Sequence, residues 1–216
     1  DTLGRDILSR VIYGARPTLA IVAMVLLASV PLGLLIGAAA GLWGGWLDAA
    51  LMRLADVFLA FPRLILAIAI AAALTSGLWT AVIAIALTGW PPYARVARSE
   101  MAALRQAEFI QAAKALGVSR LRLLLRHALP LCLPSAVVRA ALDAPGIVLI
   151  VSGLGFLGLG LPPPAPEWGA MVAEGRAIVF EAWWVSTLPG VMILLLSLGF
   201  NFLGDALRDV VDPGVK

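Results

Sequence analysis

PTLAIVAMVLLASVPLGLLIGAAAGL, residues 17–42, runs for 26 positions without a charged side chain. A helix needs roughly 20 mostly apolar residues to cross the hydrocarbon core of a bilayer, so this stretch predicts a membrane span. The whole chain agrees: of 216 residues, 62% are hydrophobic and 13% charged. A soluble domain carries about 25% charged residues, so this chain has about half the polar supply needed to cover a core. A single cysteine, Cys132, excludes a disulfide-rich secreted scaffold. The high apolar content excludes a disordered chain. The reading is an all-α, polytopic transmembrane helical bundle, one domain over residues 1–216.

Outward from that stretch lie three further apolar regions, at 63–95, 130–161 and 183–203. The first of these is interrupted by Thr75-Ser76-Gly77 and holds 31 residues between Arg63 and Arg95. Two full spans need about 40, so it predicts a helical hairpin whose outer ends extend into charged flanks. Those flanks carry Asp48, Arg53, Asp56 and Arg63 on one side and Arg95 and Arg98 on the other. About five spans are visible. The chain starts at Asp1 without an initiator methionine or signal peptide, which predicts a missing N-terminal stretch holding a sixth.

Charge placement orients the bundle. Between Tyr93 and Pro130, seven basic residues (Arg95, Arg98, Arg105, Lys114, Arg120, Arg122, Arg126) face two acidic ones, Glu100 and Glu108. Between Ser152 and Ala182, Glu167, Glu174 and Glu181 outnumber Arg176. The positive-inside rule makes 93–129 a cytoplasmic loop and 152–182 an external loop. Alternation then makes 1–16 an external or interfacial segment, despite Arg5, Arg10 and Arg16. Trp168, Trp183 and Trp184 suit the external interface, where amphipathic rings settle. The net charge of +3 is thus an orientation signal and not a nucleic-acid signal.

Several chemistries lack their residues. Lys114 precedes an alanine and Lys216 ends the chain, so no GxxxxGK[ST] phosphate loop exists. His127 is the only histidine, and there is no GxSxG elbow, which leaves zinc and Ser–His chemistry unsupplied. No catalytic or metal residue is assigned, and no cofactor is expected on this chain.

The basic loop reads AEFIQAAKALGVSRLRLLLRHALP, residues 107–130. Ala112 to Leu116 favour helix, Gly117 supplies a stop, and Ser119 can cap a second short helix. On that helix Leu121, Leu124, Leu125 and Ala128 recur at helical spacing beside Arg120, Arg122 and Arg126. Two readings stand: an interfacial amphipathic helix on lipid headgroups, or a docking element for a cytoplasmic partner.

This loop resembles the EAA motif of binding-protein-dependent ABC transporter permeases. Gln111, Ala112, Ala113 and Gly117 fall in register and Leu129-Pro130 closes the motif; Gln111 replaces Glu, and His127 replaces Ile. DTLGRDILSRVIYGAR, GGWLDAALMRLADVFLAFP, GFLGLGLPPPAPEWGAMVAEGR and FNFLGDALRDVVDP are each similar to the dipeptide, oligopeptide and nickel permease subfamily, in the family's order. That resemblance implies a membrane-spanning permease subunit of an ATP-driven importer for di- or oligopeptides, in a bacterial inner membrane. Its implied partners are a second homologous permease, two cytoplasmic ATPase subunits that use ATP and Mg, an external substrate-binding protein and the lipid bilayer. Glu108, Gln111, Ala112, Ala113, Gly117, Ser119 and Arg120 are the implied coupling residues. Nickel or a metal chelate is the alternative substrate. An ATPase-independent channel or scaffold, and an intramembrane enzyme, are the other classes.

Other residues carry two readings each. Gly33, Gly37, Gly41 and Gly45 recur every fourth position, giving a flat face for packing within the chain or against a second permease. Pro31, Pro62, Pro91-Pro92, Pro134 and Pro145 allow bends that serve gating or simply occur in static helices. Arg139 with Asp143, and Arg53 with Asp56, are spaced as intrahelical ion pairs or as polar rungs of a translocation path. The three external glutamates form either a solvated rim or a lure for a cationic substrate.

Overall fold

The computed structural model describes residues 1–211, and among them every regular element is helical. The helices are α1 (Ile7–Trp43), α2 (Gly45–Ala60), α3 (Arg63–Ala72), α4 (Leu78–Leu104), α5 (Glu108–Ala115), α6 (Arg120–Arg122), α7 (Leu129–Phe156), α8 (Trp168–Gly175) and α9 (Trp184–Val211). A π-helical turn, Leu123–Ala128, joins α6 to α7.

Helix α1 begins where the Asp6 carboxylate accepts the Ser9 N–H at 2.8 Å, satisfying a donor that the helix start leaves without a partner. Hydrogen bonding by the Ser9 side chain, and then by this N–H, holds the Asp6 carboxyl below its ordinary range. At 37 residues α1 is about 55 Å long, well beyond a bilayer core. The expected external segment 1–16 is therefore mostly the first turns of this helix. Gly44, at φ +65, ends it.

α1 and α4 form the most extensive helix pair, and the glycine stripe is the reason. A Cβ on Gly33 would stand 2.5 Å from the Trp90 carbonyl, and one on Gly41 2.7 Å from that of Arg98. One on Gly37 would collide with the Ala94 carbonyl. Small residues let two backbones approach, which favours packing in an apolar solvent. Gly33, Gly37 and Gly41 thus pack within the chain, while Gly45 meets nothing and starts α2 at φ +63.

Three helices, α1, α7 and α9, are long and apolar enough to cross a membrane. The pair α2–α3 makes a fourth if taken as one broken span, bent by 90°. Pro62 explains the break: it lacks an N–H and biases Phe61 to the extended backbone seen there, φ −97 and ψ 142. α4 has the length, 27 residues, but Arg95, Arg98 and Glu100 lower its apolarity. The hairpin expected over 63–95 is thus unequal, a ten-residue α3 turning at 73–77 into the long α4. Residues 93–104, assigned to the cytoplasmic loop, continue α4.

The main core joins α1, α3, α4 and α7 through Ile21, Val25, Ala67, Ile85, Ile147 and Leu154. A second cluster, with Leu34, Ala38, Met101 and Cys132, lies toward the basic loop. A third, Val11, Trp168 and Met171, ties α8 to the start of α1. The face of α9 is largely open, with Leu194, Leu195 and Phe202 exposed.

Candidate coupling loop and membrane polar cluster

The loop is two short helices around a glycine hinge. Gly117 sits at φ +77 with open space where a Cβ would go, so backbone conformation and not crowding calls for glycine. The Val118 N–H closes the end of α5 on the Ala113 carbonyl at 3.1 Å. The Ser119 hydroxyl accepts the Arg122 N–H at 3.4 Å, a long cap. Ile110, Leu123 and Leu124 are buried and hold the loop to the bundle. Phe109, Leu116, Leu121 and Leu125 point outward, with Leu116 84% exposed.

Of the expected coupling residues, Glu108, Gln111, Ala112, Gly117, Ser119 and Arg120 are exposed and Ala113 is partly buried. The Gln111 amide donates to the Gln106 carbonyl at 3.5 Å. The expected leucine knob divides: Leu124 turns into the core, and Leu121 and Leu125 remain outside. The side chains of Lys114, His127 and Ala128 lie outside the described set, as do Asp212 and Pro213 of the last motif.

Neither intrahelical ion pair forms. Asp143 instead accepts both oxygens' worth of contact from Arg63 Nη1, at 2.8 and 3.0 Å, and the Tyr93 hydroxyl donates to it at 3.1 Å. Arg139 is exposed. Asp56 pairs with Arg95 at 2.6 Å, and Arg98 binds Asp48 at 3.0 and 2.7 Å, while Arg53 is exposed. The physical reason is common to both corrections. A basic residue N-terminal to its acid is the weaker order along a helix, and each aspartate faces a neighbouring helix that offers an arginine. The α2–α4 pairs and Met52 line an open cavity of about 500 Å³.

At the opposite end, Arg5 and Arg10 reach Glu174 at 2.6 and 3.5 Å. The basic N-terminal segment and the acidic 152–182 loop therefore share one face, and their charges offset each other. Trp168 is not an interfacial ring: it is 1% exposed, and its Nε1 donates to the Val11 carbonyl at 2.8 Å. Trp183 and Trp184 are exposed. Glu167 is not on a rim either. It is buried and caps α8, accepting the N–H groups of Gly169 and Ala170 at 2.8 and 2.9 Å. Burial raises its carboxyl pKa, against those two bonds. Among the described residues no group of three or more His, Cys, Asp or Glu is placed to hold a metal ion.

A family profile described as "binding-protein-dependent transport system inner membrane component" matches residues 29–216. The chain belongs to that family. It is a multi-pass membrane component of a transport system. The probable D,D-dipeptide transport system permease protein of Escherichia coli (strain K12) is 43% identical, covering 99% of this chain and 72% of that protein. The dipeptide transport system permease protein of Alkalihalophilus pseudofirmus is also 43% identical, over 100% of this chain and 71% of its own length. A glutathione transport system permease protein of Pectobacterium atrosepticum is 40% identical over 100% of this chain and 72% of its own. A chain of the MetNI methionine ABC transporter, in an inward-facing conformation, has the same fold. Its TM-score is 0.75 at 20% identity, with 95% of this chain and 97% of that one covered.

Sequence reasoning missed Arg63 and Tyr93 as partners of Asp143. One signal was available: Gly89 in mid-helix, where a Cβ would stand 2.7 Å from Arg63 Nη2 and 3.0 Å from Ser29 Oγ. A glycine inside a strongly apolar helix marks a close approach, here by a guanidinium.

Proposed function

We propose that this chain is the permease subunit of an ATP-driven importer in a bacterial inner membrane, forming the path for di- or oligopeptides together with a second homologous permease. One observation carries the peptide assignment: relatives matching this whole chain at 40–43% identity are permease proteins of dipeptide and glutathione systems. Two cytoplasmic ATPase subunits use ATP and Mg, and an external binding protein delivers the peptide. The loop at 105–127 is the ATPase contact. Its exposed Phe109, Leu116 and Leu121 supply apolar surface for a protein groove, and the Gly117 turn fixes their relative direction. Glu108, Gln111 and Arg120 supply polar contacts at the rim of that surface. Closure of the ATPase dimer moves the loop, and the π-helical turn carries that movement into α7.

The test is reconstitution of the complete system in proteoliposomes, measuring ATP-dependent uptake of labelled dialanine with the binding protein present and an excess of nickel as competitor. Uptake that needs both ATP and the binding protein and ignores nickel supports the reading. Nickel uptake without peptide uptake overturns the substrate. Uptake without an ATPase overturns the importer class.

A further inference from the structure

Arg63, Asp143 and Tyr93 come from three helices and meet inside the apolar bundle. The two charged side chains are 23% and 11% exposed. Arg63 Nε and Nη2 are buried without a hydrogen-bond partner, and Nη2 lies against Gly89 of α4. Charge in the interior of a membrane protein is costly and marks functional positions, and a well-packed apolar contact would stabilise the bundle at least as well. Stability alone therefore gives no reason for this cluster.

Its position gives one. From the Ser119 cap through the π-helical turn to Phe156 the chain is continuously helical, so the loop and Asp143 lie on one helical run. Asp143 stands about 21 Å along α7 from Leu129. Arg63 is the first residue of α3, directly after the 90° break at Pro62. α3 otherwise packs mainly on α4.

We propose that Arg63, Asp143 and Tyr93 form a charged clamp that carries movement of the coupling loop along α7 into α3, making them positioning residues for transport. The inference rests on the importer reading above. Within it, the clamp ties the short, proline-isolated α3 to α7 in addition to α4, on which it mainly packs. Tyr93 holds the carboxylate from α4, and Gly89 leaves room for the guanidinium to remain engaged.

The decisive comparison uses the reconstituted complex with Arg63→Gln, Asp143→Asn and the double variant. Each single variant strands a buried charge or its partner and assembles poorly. The double variant restores assembly and thermal stability, yet its dialanine uptake per complex falls at least tenfold while ATP hydrolysis stays within twofold of wild type. Native uptake in the double variant overturns the clamp, because a purely structural pair would recover function together with stability. Should the double variant not assemble, Arg63→Lys and Tyr93→Phe decide. Severalfold loss of uptake at unchanged assembly supports the clamp, and native uptake in both overturns it. A readout independent of substrate separates this from the peptide assignment. Spin labels on Ile65→Cys and Val137→Cys keep one distance with and without nucleotide in wild type, and change it in the double variant, or in Arg63→Lys should the double variant not assemble. A distance insensitive to nucleotide in both backgrounds refutes the clamp, whereas absent dialanine uptake in wild type refutes only the peptide reading.

Discussion

Trp168 at one end of the bundle is 1% exposed, and Leu116 at the other is 84% exposed. The cap around α8 buries its largest ring against α1, caps α8 with a buried glutamate and sets Gly169 against the Ser152 backbone, where any Cβ would collide. The loop between α4 and α7 presents leucines to solvent and is held by three buried side chains and one long cap bond. Cores in proteins are closely packed, and large apolar groups left outside mark contacts still to be made. The α8 end is packed around Trp168 and Glu167, although Phe180, Trp183 and Trp184 beside it stay exposed. The loop end keeps most of its large apolar side chains outside, and substitutions at the two ends should therefore fail in different assays.

The largest effect belongs to the loop. Gly117→Glu places a bulky acidic residue at φ +77, where a side chain costs about 1–2 kcal/mol, and sets it on the contact surface. It should abolish dialanine uptake while the complex inserts and the binding protein still docks; uptake at the normal rate would show that the hinge plays no part in coupling. Trp168→Ala is its counterpart at the cap. Loss of a buried Trp costs about 3–5 kcal/mol, and a hydrogen bond goes with it. The apparent Tm in detergent should drop by several degrees, with ATPase binding through the loop unchanged. Equal loss in both assays would break the division between the two ends.

Much of this arrangement was legible in the residues. Composition and the uncharged run 17–42 pointed to the membrane bundle, charge placement separated the basic loop from the acidic one, and the glycine register gave a flat face that the structure uses between α1 and α4. What escaped shares one physical cause. Helical spacing reports only neighbours three or four residues apart, so it offered Arg139 to Asp143 and Arg53 to Asp56. The actual partners lie 80 and 39 residues away in sequence, on other helices. Trp168 was misplaced for a related reason, because an indole suits an interface and a core alike, and only the Val11 carbonyl opposite it decides. Pro62 was read as a permitted bend, whereas its lost N–H and the extended Phe61 before it break a span in two.

Glu167 sharpens the account of the cap through pH. Its folded pKa is raised by burial above the ordinary 4.5, so the folded cap favours the protonated acid. The stability from this group is full below the unfolded value and is lost as pH rises through the folded one. Glu167→Gln removes the titration but leaves a single oxygen for the N–H groups of Gly169 and Ala170, which costs about 1–3 kcal/mol if one is stranded. The Tm of wild type minus that of Glu167→Gln should therefore shrink as pH climbs from about 4.5. A constant difference would mean that the carboxyl titrates alike in both states.

The smallest effect should come from Ser119→Ala. Its cap bond, 3.4 Å from the Arg122 N–H on an exposed turn, belongs at the low end of the range for such caps, about 0.5 kcal/mol. A Tm change near the limit of detection is expected, with a modest loss of uptake because the turn leading into α7 frays. A large drop in Tm would mean that the loop is anchored as firmly as the cap, and the contrast between the ends would then rest on Gly117 alone.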